Sequence, residues 1–153
     1  MKKFRKLAAL ALAATMAMTA LTGCGGSSET TADTEVSADA MTVGFIYIGS
    51  KNDGGYTQAQ NQGTEAVKEY FGDKINILTA ENVAEDKQAV KTNAVNMIDN
   101  GASVIVGTSF GYMDAMEELA AEYPEVTFLH FSGNKMNDTN FSNYFGAMEE
   151  PRY

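Results

Sequence analysis

The chain has 153 residues, of which 20 are acidic and 11 are basic, so its formal net charge is −9 at pH 7. This acidity argues against nucleic acid and against an anionic membrane surface as its partner. One histidine and one cysteine cannot build a usual zinc site, and we predict neither a metal nor a cofactor.

Residues 1–23 have the pattern of a lipoprotein signal peptide. Four basic residues at the start precede an apolar run from Leu7 to Ala20, which is too short and too rich in alanine for a stable membrane span. The run leads into Leu21-Thr22-Gly23-Cys24, where small residues admit a peptidase and the thiol can carry a lipid. We therefore predict a lipid anchor at Cys24 on the extracytoplasmic face of the cell membrane. The alternative is an ordinary signal peptide followed by a chance cysteine.

Removal of this leader takes away four basic residues and no acidic ones, which leaves a net charge of about −13. Residues 24–40 are polar, with almost no apolar content, and predict a flexible tether. Residues 41–153 suffice for one modest folded domain with a single core.

Strands and helices alternate along this domain. Apolar, β-branched runs that end at glycine predict strands, and apolar residues spaced three and four apart predict helices. In chain order, the predicted elements are a strand over 41–48, a helix with the apolar stripe Ala59, Gly63, Ala66, Val67 and Tyr70, a strand over 75–80, a helix capped by Asn82 and Glu85 with the stripe Val90, Ala94, Met97 and Ile98, a strand over 103–107, a helix over 113–122, and strands over 126–131 and 143–146.

This alternation predicts an α/β fold with a mostly parallel sheet flanked by helices on both sides. In such sheets, ligands bind just beyond the carboxyl ends of the strands. Three loops leave strands at that edge: residues 49–56, 108–114 and 132–135. We expect the three loops to converge on one site.

Side chains in the first two loops could bind a small polar, aromatic ligand. Asp53 could accept hydrogen bonds from N–H groups of a ring, or it could cap the helix that follows. Tyr56 could stack on a ligand ring, or pack at the helix entry. Phe110 and Tyr112 could form walls of the same pocket, or pack over the end of the sheet.

Three further residues have weaker indications. Asp114 begins a helix, where a carboxylate interacts well with the helix N-terminus. Ser109 is a possible hydrogen-bond donor or acceptor. His130, on an apolar strand, is typical of a satisfied, half-buried residue more than of a ligand or a base.

The sequence contains no pattern that indicates catalysis. There is no P-loop lysine, and Gly54-Gly55 is not a dinucleotide fingerprint. Ser109 does not lie in a nucleophile elbow. We therefore predict no catalytic residue and no enzymatic activity.

Several of these segments together resemble the basic membrane protein family of substrate-binding lipoproteins, which includes purine nucleoside receptors that serve ABC transporters. The segments are the lipobox, Val43–Tyr47 running into Asp53-Gly54-Gly55-Tyr56, Thr108–Asp114, and the ending Glu149-x-x-Arg152-Tyr153. The resemblance covers essentially the whole chain.

The resemblance implies a two-lobed fold of the type I periplasmic-binding-protein kind that closes on its ligand. It implies a purine nucleoside or nucleobase as the ligand and an ABC permease as the partner. It also implies that Asp114 faces the cleft, and it favours ligand contact over capping as the role of Asp53. The ligand-binding residues predicted in this way are Asp53, Tyr56, Ser109, Phe110 and Asp114.

Family members carry a second lobe of similar size, whereas this sequence stops at Tyr153. The resemblance therefore implies an amino-terminal fragment from which the second lobe is largely missing. Two alternatives to a transport receptor stay open: a ligand-sensing surface lipoprotein with a regulatory role, and a truncated half-domain without function.

Overall fold

The computed structural model describes residues 39–146. The predicted signal peptide, Cys24, the tether up to residue 38 and the ending 149–153 lie outside the described residues. Within the described range, none of the helices has both the length and the apolar character needed to cross a membrane.

Five strands form one parallel sheet, as predicted for an α/β fold. The strands are β1 (Met41–Ile46), β2 (Ile75–Ala80), β3 (Ala102–Gly107), β4 (Thr127–Phe131) and β5 (Phe141–Tyr144), in the order β2-β1-β3-β4-β5. The helices are α1 (Tyr56–Phe71), α2 (Lys87–Asp99) and α3 (Met113–Glu122). Because β2 and β3 lie on opposite sides of β1, the sheet changes winding direction between β1 and β3.

The larger core lies between the sheet and the helices α2 and α3. Ile46, Ile105 and Phe128 on three neighbouring strands are fully buried there. The predicted stripe of α2 is confirmed, since Val90 and Ala94 are fully buried against the same cluster. Burial of strand residues on both faces explains why β1 and β3 appear in the sequence as continuous apolar runs.

Helix α1 packs on the other face of the sheet, and its predicted apolar stripe is only partly right: Gly63 and Val67 line the groove on the sheet side, whereas Ala59, Ala66 and Tyr70 are exposed. The buried residues of α1 are Thr57 and Thr64, whereas Tyr70, predicted to face the sheet, is 84% exposed. The reason is the fully buried Tyr47, whose hydroxyl shares a hydrogen bond of 2.6 Å with the Thr64 hydroxyl. One hydroxyl just after β1 thus brings Thr64 inward, although the rest of this sheet face is apolar.

Helix α2 begins later than the predicted cap. The side chain of Asp86 accepts a hydrogen bond from the Ala89 N–H at 3.0 Å and is the cap. Asn82 adopts a left-handed backbone with φ of 56°, and the Glu85 carboxylate bonds to the loop after β3. The predicted cap of Asn82 and Glu85 is therefore wrong, because a nearer acid caps the helix.

Strand β5 lies two residues earlier than predicted. Phe141 is buried opposite Phe128 on β4, and the Phe128 N–H donates to the Asn140 carbonyl at 2.7 Å. The connection from β4 contains no helix. Its last residue, Asn140, is held by bonds from its side-chain amide to the carbonyls of Ala120 and Val126, both at 2.9 Å.

Candidate functional site

The loops that follow β1 and β3 meet at the carboxyl edge of the sheet, as predicted. The N–H and the hydroxyl of Thr108 donate to the Ile46 carbonyl at 3.1 and 2.9 Å. The Tyr56 hydroxyl donates to the Thr108 carbonyl from the start of α1. The switch point between β1 and β3 lies at this edge, and ligands of open α/β folds bind at such points.

Asp53 caps α1 with both carboxylate oxygens. Oδ1 accepts N–H bonds from Gly55 at 2.8 Å and from Gln58 at 3.0 Å, and Oδ2 accepts one from Thr57 at 2.9 Å. The capping alternative is therefore correct. Ligand contact by the same exposed carboxylate stays a prediction.

These bonds also determine the charge of the group. The N–H bonds from Gln58, Gly55 and Thr57 hold the pKa of Asp53 at about 2, below its ordinary value of 3.8. At neutral pH the side chain is an anion that accepts hydrogen bonds and donates none. A ligand atom that forms a hydrogen bond with Asp53 must therefore carry a hydrogen.

Aromatic rings cluster at the same carboxyl edge of the sheet. The ring of Phe131, at the end of β4, has its centroid 6.1 Å from that of Tyr56, 5.3 Å from that of Tyr144 and 5.4 Å from that of Phe145. Phe131 and Phe145 are stacked, with their planes 17° apart. Tyr56 is 45% exposed and Phe145 is 61% exposed, so the cluster offers open aromatic surface at the edge.

The loop after β3 divides into an exposed ring and buried neighbours. Phe110 is 57% exposed, whereas Ser109 is buried and its hydroxyl donates to Glu85 Oε1 at 2.5 Å. Tyr112 is fully buried and donates its hydroxyl to the Val83 carbonyl at 2.5 Å. Packing therefore accounts for Tyr112, and Phe110 is the residue of this loop that can present a ring to a ligand.

His130 supports this loop from β4. Its ring is fully buried, and Nε2 lies 2.9 Å from the Ser109 carbonyl oxygen and 3.2 Å from that of Phe110. Both acceptors are carbonyls, so Nε2 carries the proton. Burial lowers the pKa of His130 and keeps the ring neutral. The predicted structural role holds for Nε2, but the residue is wholly buried and not half-buried, and its Nδ1 has no hydrogen-bond partner within the described residues.

Asp114 lies in the first turn of α3 with its side chain 67% exposed. Its Oδ1 accepts a bond of 2.8 Å from the Lys135 ammonium, which also contacts Glu117 at 2.6 Å. The bond from Lys135 lowers the pKa of Asp114. A ligand donor at Asp114 would compete with this lysine, and ligand contact by Asp114 stays a prediction.

A groove of about 650 Å³ lies on the face of the sheet beside α1 and reaches the carboxyl edge at Thr108 and Tyr144. Its lining is mostly apolar and includes Val43, Val67, Val106 and Leu129. It contains none of the predicted ligand-binding residues. We place the candidate site at the carboxyl edge instead, because directed polar groups there can orient a small ligand.

The prediction from sequence missed four residues of this edge. Phe131, Tyr144 and Phe145 belong to the aromatic cluster, and Glu85 fixes the loop after β3. The available signal for the aromatic residues was their position at the ends of strands. For Glu85 no local signal exists, because its partners lie 24 and 26 residues further along the chain.

Comparison with known sequences gives three matches. Residues 40–153 match the profile of a family described as ABC transporter substrate-binding protein PnrA-like. A purine-binding protein of Brucella abortus is 38% identical over 115 residues, which cover 75% of this chain and 32% of that protein. An ABC transporter glucose-binding protein of Haloferax volcanii, so named, is 32% identical over 117 residues, or 75% of this chain and 28% of that protein. The chain thus spans about a third of the length of these curated relatives.

Solved structures share the fold at low sequence identity. An ABC transporter solute-binding protein from Conexibacter woesei superposes with a TM-score of 0.58 at 18% identity, covering 69% of this chain and 35% of that one. A periplasmic binding protein from Burkholderia mallei superposes with a TM-score of 0.53 at 20% identity, covering 64% and 28%. Similarity at this level of identity concerns the fold alone.

Proposed function

We propose that this chain, which belongs to the family of PnrA-like ABC transporter substrate-binding proteins, contributes one wall of a site for a purine base or nucleoside. This membership confirms the resemblance predicted from the sequence. The receptor would be anchored by a lipid at Cys24 and would pass its ligand to an ABC permease. Its role would be binding without turnover.

The observation that carries this proposal is the pairing of open aromatic surface with an anionic acceptor. Tyr56 is the first residue of α1, the helix that Asp53 caps, and its ring centroid lies 6.1 Å from that of Phe131. A planar base offers both a π-face that stacks on such rings and an edge with N–H groups that a carboxylate accepts. The purine-binding name of the Brucella abortus relative agrees with this ligand class.

The remaining surface of the ligand would be enclosed by another part of the whole protein. The described edge is open to solvent at Tyr56, Phe110 and Phe145. Pockets for small ligands usually bury most of the ligand surface. Closure of a second lobe over a bound base would bury these rings and signal occupancy to the permease.

A sugar is the second candidate ligand. The Haloferax volcanii relative is named as glucose-binding, and aromatic rings with carboxylates also suit the faces and hydroxyls of sugars. The aromatic cluster favours the purine over the sugar. A purine gains affinity by stacking on several rings, whereas glucose depends more on hydrogen bonds. A regulatory sensor would use the same site, and would differ in its partner.

Titration calorimetry on the product of the complete reading frame tests the proposal. Adenine, adenosine, guanosine and inosine are compared with glucose under identical conditions. Saturable binding of a purine, with glucose at least about a hundredfold weaker, is the expected result. Binding of glucose alone would overturn the purine assignment. Binding of neither class would overturn the proposed ligand classes together.

A further inference from the structure

The loop after β3 is braced on both sides of its exposed ring. On one side, Glu85 Oε1 accepts bonds from the Ser109 hydroxyl at 2.5 Å and from the Gly111 N–H at 2.9 Å. On the other side, His130 Nε2 contacts the carbonyls of Ser109 and Phe110. The residues before and after Phe110 are therefore both fixed, while the Phe110 side chain is left exposed.

Glu85 lies directly against Gly111. A Cβ atom added at Gly111 would lie 2.6 Å from Glu85 Oε1 and 2.7 Å from Glu85 Cγ, closer than atoms without a bond can approach. The φ angle of Gly111 is not in the left-handed region, so its backbone would accept an alanine. A side chain at this position would therefore force the exposed Glu85 side chain to move away from the loop.

Glu85 has no competing structural partner among residues 39–146. Asp86 caps α2 in its place, and the ion pairs of the described part of the chain do not include Glu85. The bonds that its side chain accepts all come from the loop after β3. Its connecting segment crosses the end of β1, where the Val83 N–H donates to the Tyr47 carbonyl at 2.9 Å.

We propose that Glu85 is a positioning residue of the ligand site: it fixes the backbone of residues 109–111 and thereby directs the Phe110 ring toward the ligand. This inference rests on the proposed function. The Glu85 carboxylate does not need to touch the ligand. Glu85 affects the affinity for the ligand only through the position of Phe110. This role differs from a direct contact with the ligand and from a general contribution to stability.

A first test needs no ligand. Loss of the Glu85 acceptor in Glu85→Ala should speed hydrogen exchange of the Gly111 amide about tenfold or more, because that N–H loses its partner. Glu85→Gln should keep exchange slow, since the amide oxygen has two lone pairs for the same two donors. Glu69→Ala, an exposed acid on α1, is the matched control. Unchanged exchange in Glu85→Ala would overturn the proposal whether or not any purine binds.

A second test measures affinity in combined variants. Glu85→Ala should weaken purine binding about tenfold, with Glu85→Gln close to the wild type. In a Phe110→Ala background, Glu85→Ala should have no further effect. Gly111→Ala should also weaken binding, and adding Glu85→Ala should not weaken it further, because the clash is then relieved.

The outcomes separate the two claims. Two results would overturn the positioning role and leave the purine site standing. One is that the affinity losses of Glu85→Ala and Phe110→Ala add in the double variant. The other is that Glu85→Ala exchanges the Gly111 amide faster but binds purine like the wild type. Absence of purine binding in the wild type would instead overturn the proposed function, and the exchange experiment would still decide whether Glu85 fixes the loop.

Discussion

Substitutions of Tyr56 separate its contribution to the fold from its contribution to the ligand site. Tyr56→Phe removes the hydroxyl that donates to the Thr108 carbonyl and keeps the ring beside Phe131. Tyr56→Ala removes both. Because the side chain is 45% exposed, its ring has free surface that a ligand could cover without rearranging the core.

The two variants should differ in which quantity they change. Loss of one hydrogen bond that is partly buried should lower the free energy of unfolding by about 0.5 to 1.5 kcal/mol and the melting temperature by about 2 to 8 °C. Loss of a stacking ring should cost about 1 to 3 kcal/mol of binding, as for bases on aromatic side chains. That is about a 5- to 150-fold increase in Kd.

Calorimetric titration with adenosine and thermal unfolding measure the two quantities on the same samples. We expect Tyr56→Phe to bind within about threefold of the wild type despite its lower melting temperature, and Tyr56→Ala to lose both affinity and stability. Tyr70→Ala, at the far end of α1 and 84% exposed, is the control. Equal Kd values for Tyr56→Ala and the wild type would refute the stacking argument.

Four further predictions follow from individual residues. Backbone N–H bonds depress the pKa of Asp53 to about 2, so its stabilising effect is present above about pH 4 and lost as the pH falls toward 2; a carboxyl NMR titration with a midpoint near 4 would contradict this. Burial lowers the pKa of His130, so the unfolded chain binds a proton that the native state does not, and stability should fall as the pH drops below about 6.5; urea unfolding of His130→Gln should lack this loss. Asp114→Ala should weaken purine binding about fivefold, whereas Glu117→Ala, which removes the other partner of Lys135, should not. Equal losses of affinity in the two variants would mean that both act through Lys135 and would contradict direct ligand contact by Asp114. Cys24→Ala should move the protein from the membrane fraction to the soluble fraction, and retention in the membrane would contradict the lipid anchor.

The strands and their parallel arrangement were predictable because their signals are local. Val43, Ile105 and Phe128 lie within apolar runs bounded by glycine or turn residues, and each proves buried. The stripe of α2 was equally clear, since Val90 and Ala94 occupy one face at helical spacing. Burial against a sheet requires that periodicity, whatever the order of the strands.

The errors arose where one long-range partner overrode a local pattern. The stripe predicted for α1 places Ala66 and Tyr70 toward the sheet, but the Tyr47 hydroxyl pairs with Thr64 and both predicted residues are exposed. Glu85 had suitable spacing for a cap, and its carboxylate instead bonds across the sheet edge to Ser109. Asp53 is a case in which the two interpretations are compatible, because the capping carboxylate stays exposed at the edge.

The sequence by itself determined the fold class, the positions of most strands and helices, the family, and the loops in which Asp53, Tyr56 and Phe110 lie. Periodicity and motif spacing depend on neighbours along the chain, so they can be recognised without coordinates. Only the tertiary structure decided that Phe131 and Phe145 join Tyr56, and that Glu85 holds the loop of Phe110. These contacts depend on the strand order β2-β1-β3-β4-β5, which brings together residues that are far apart in sequence.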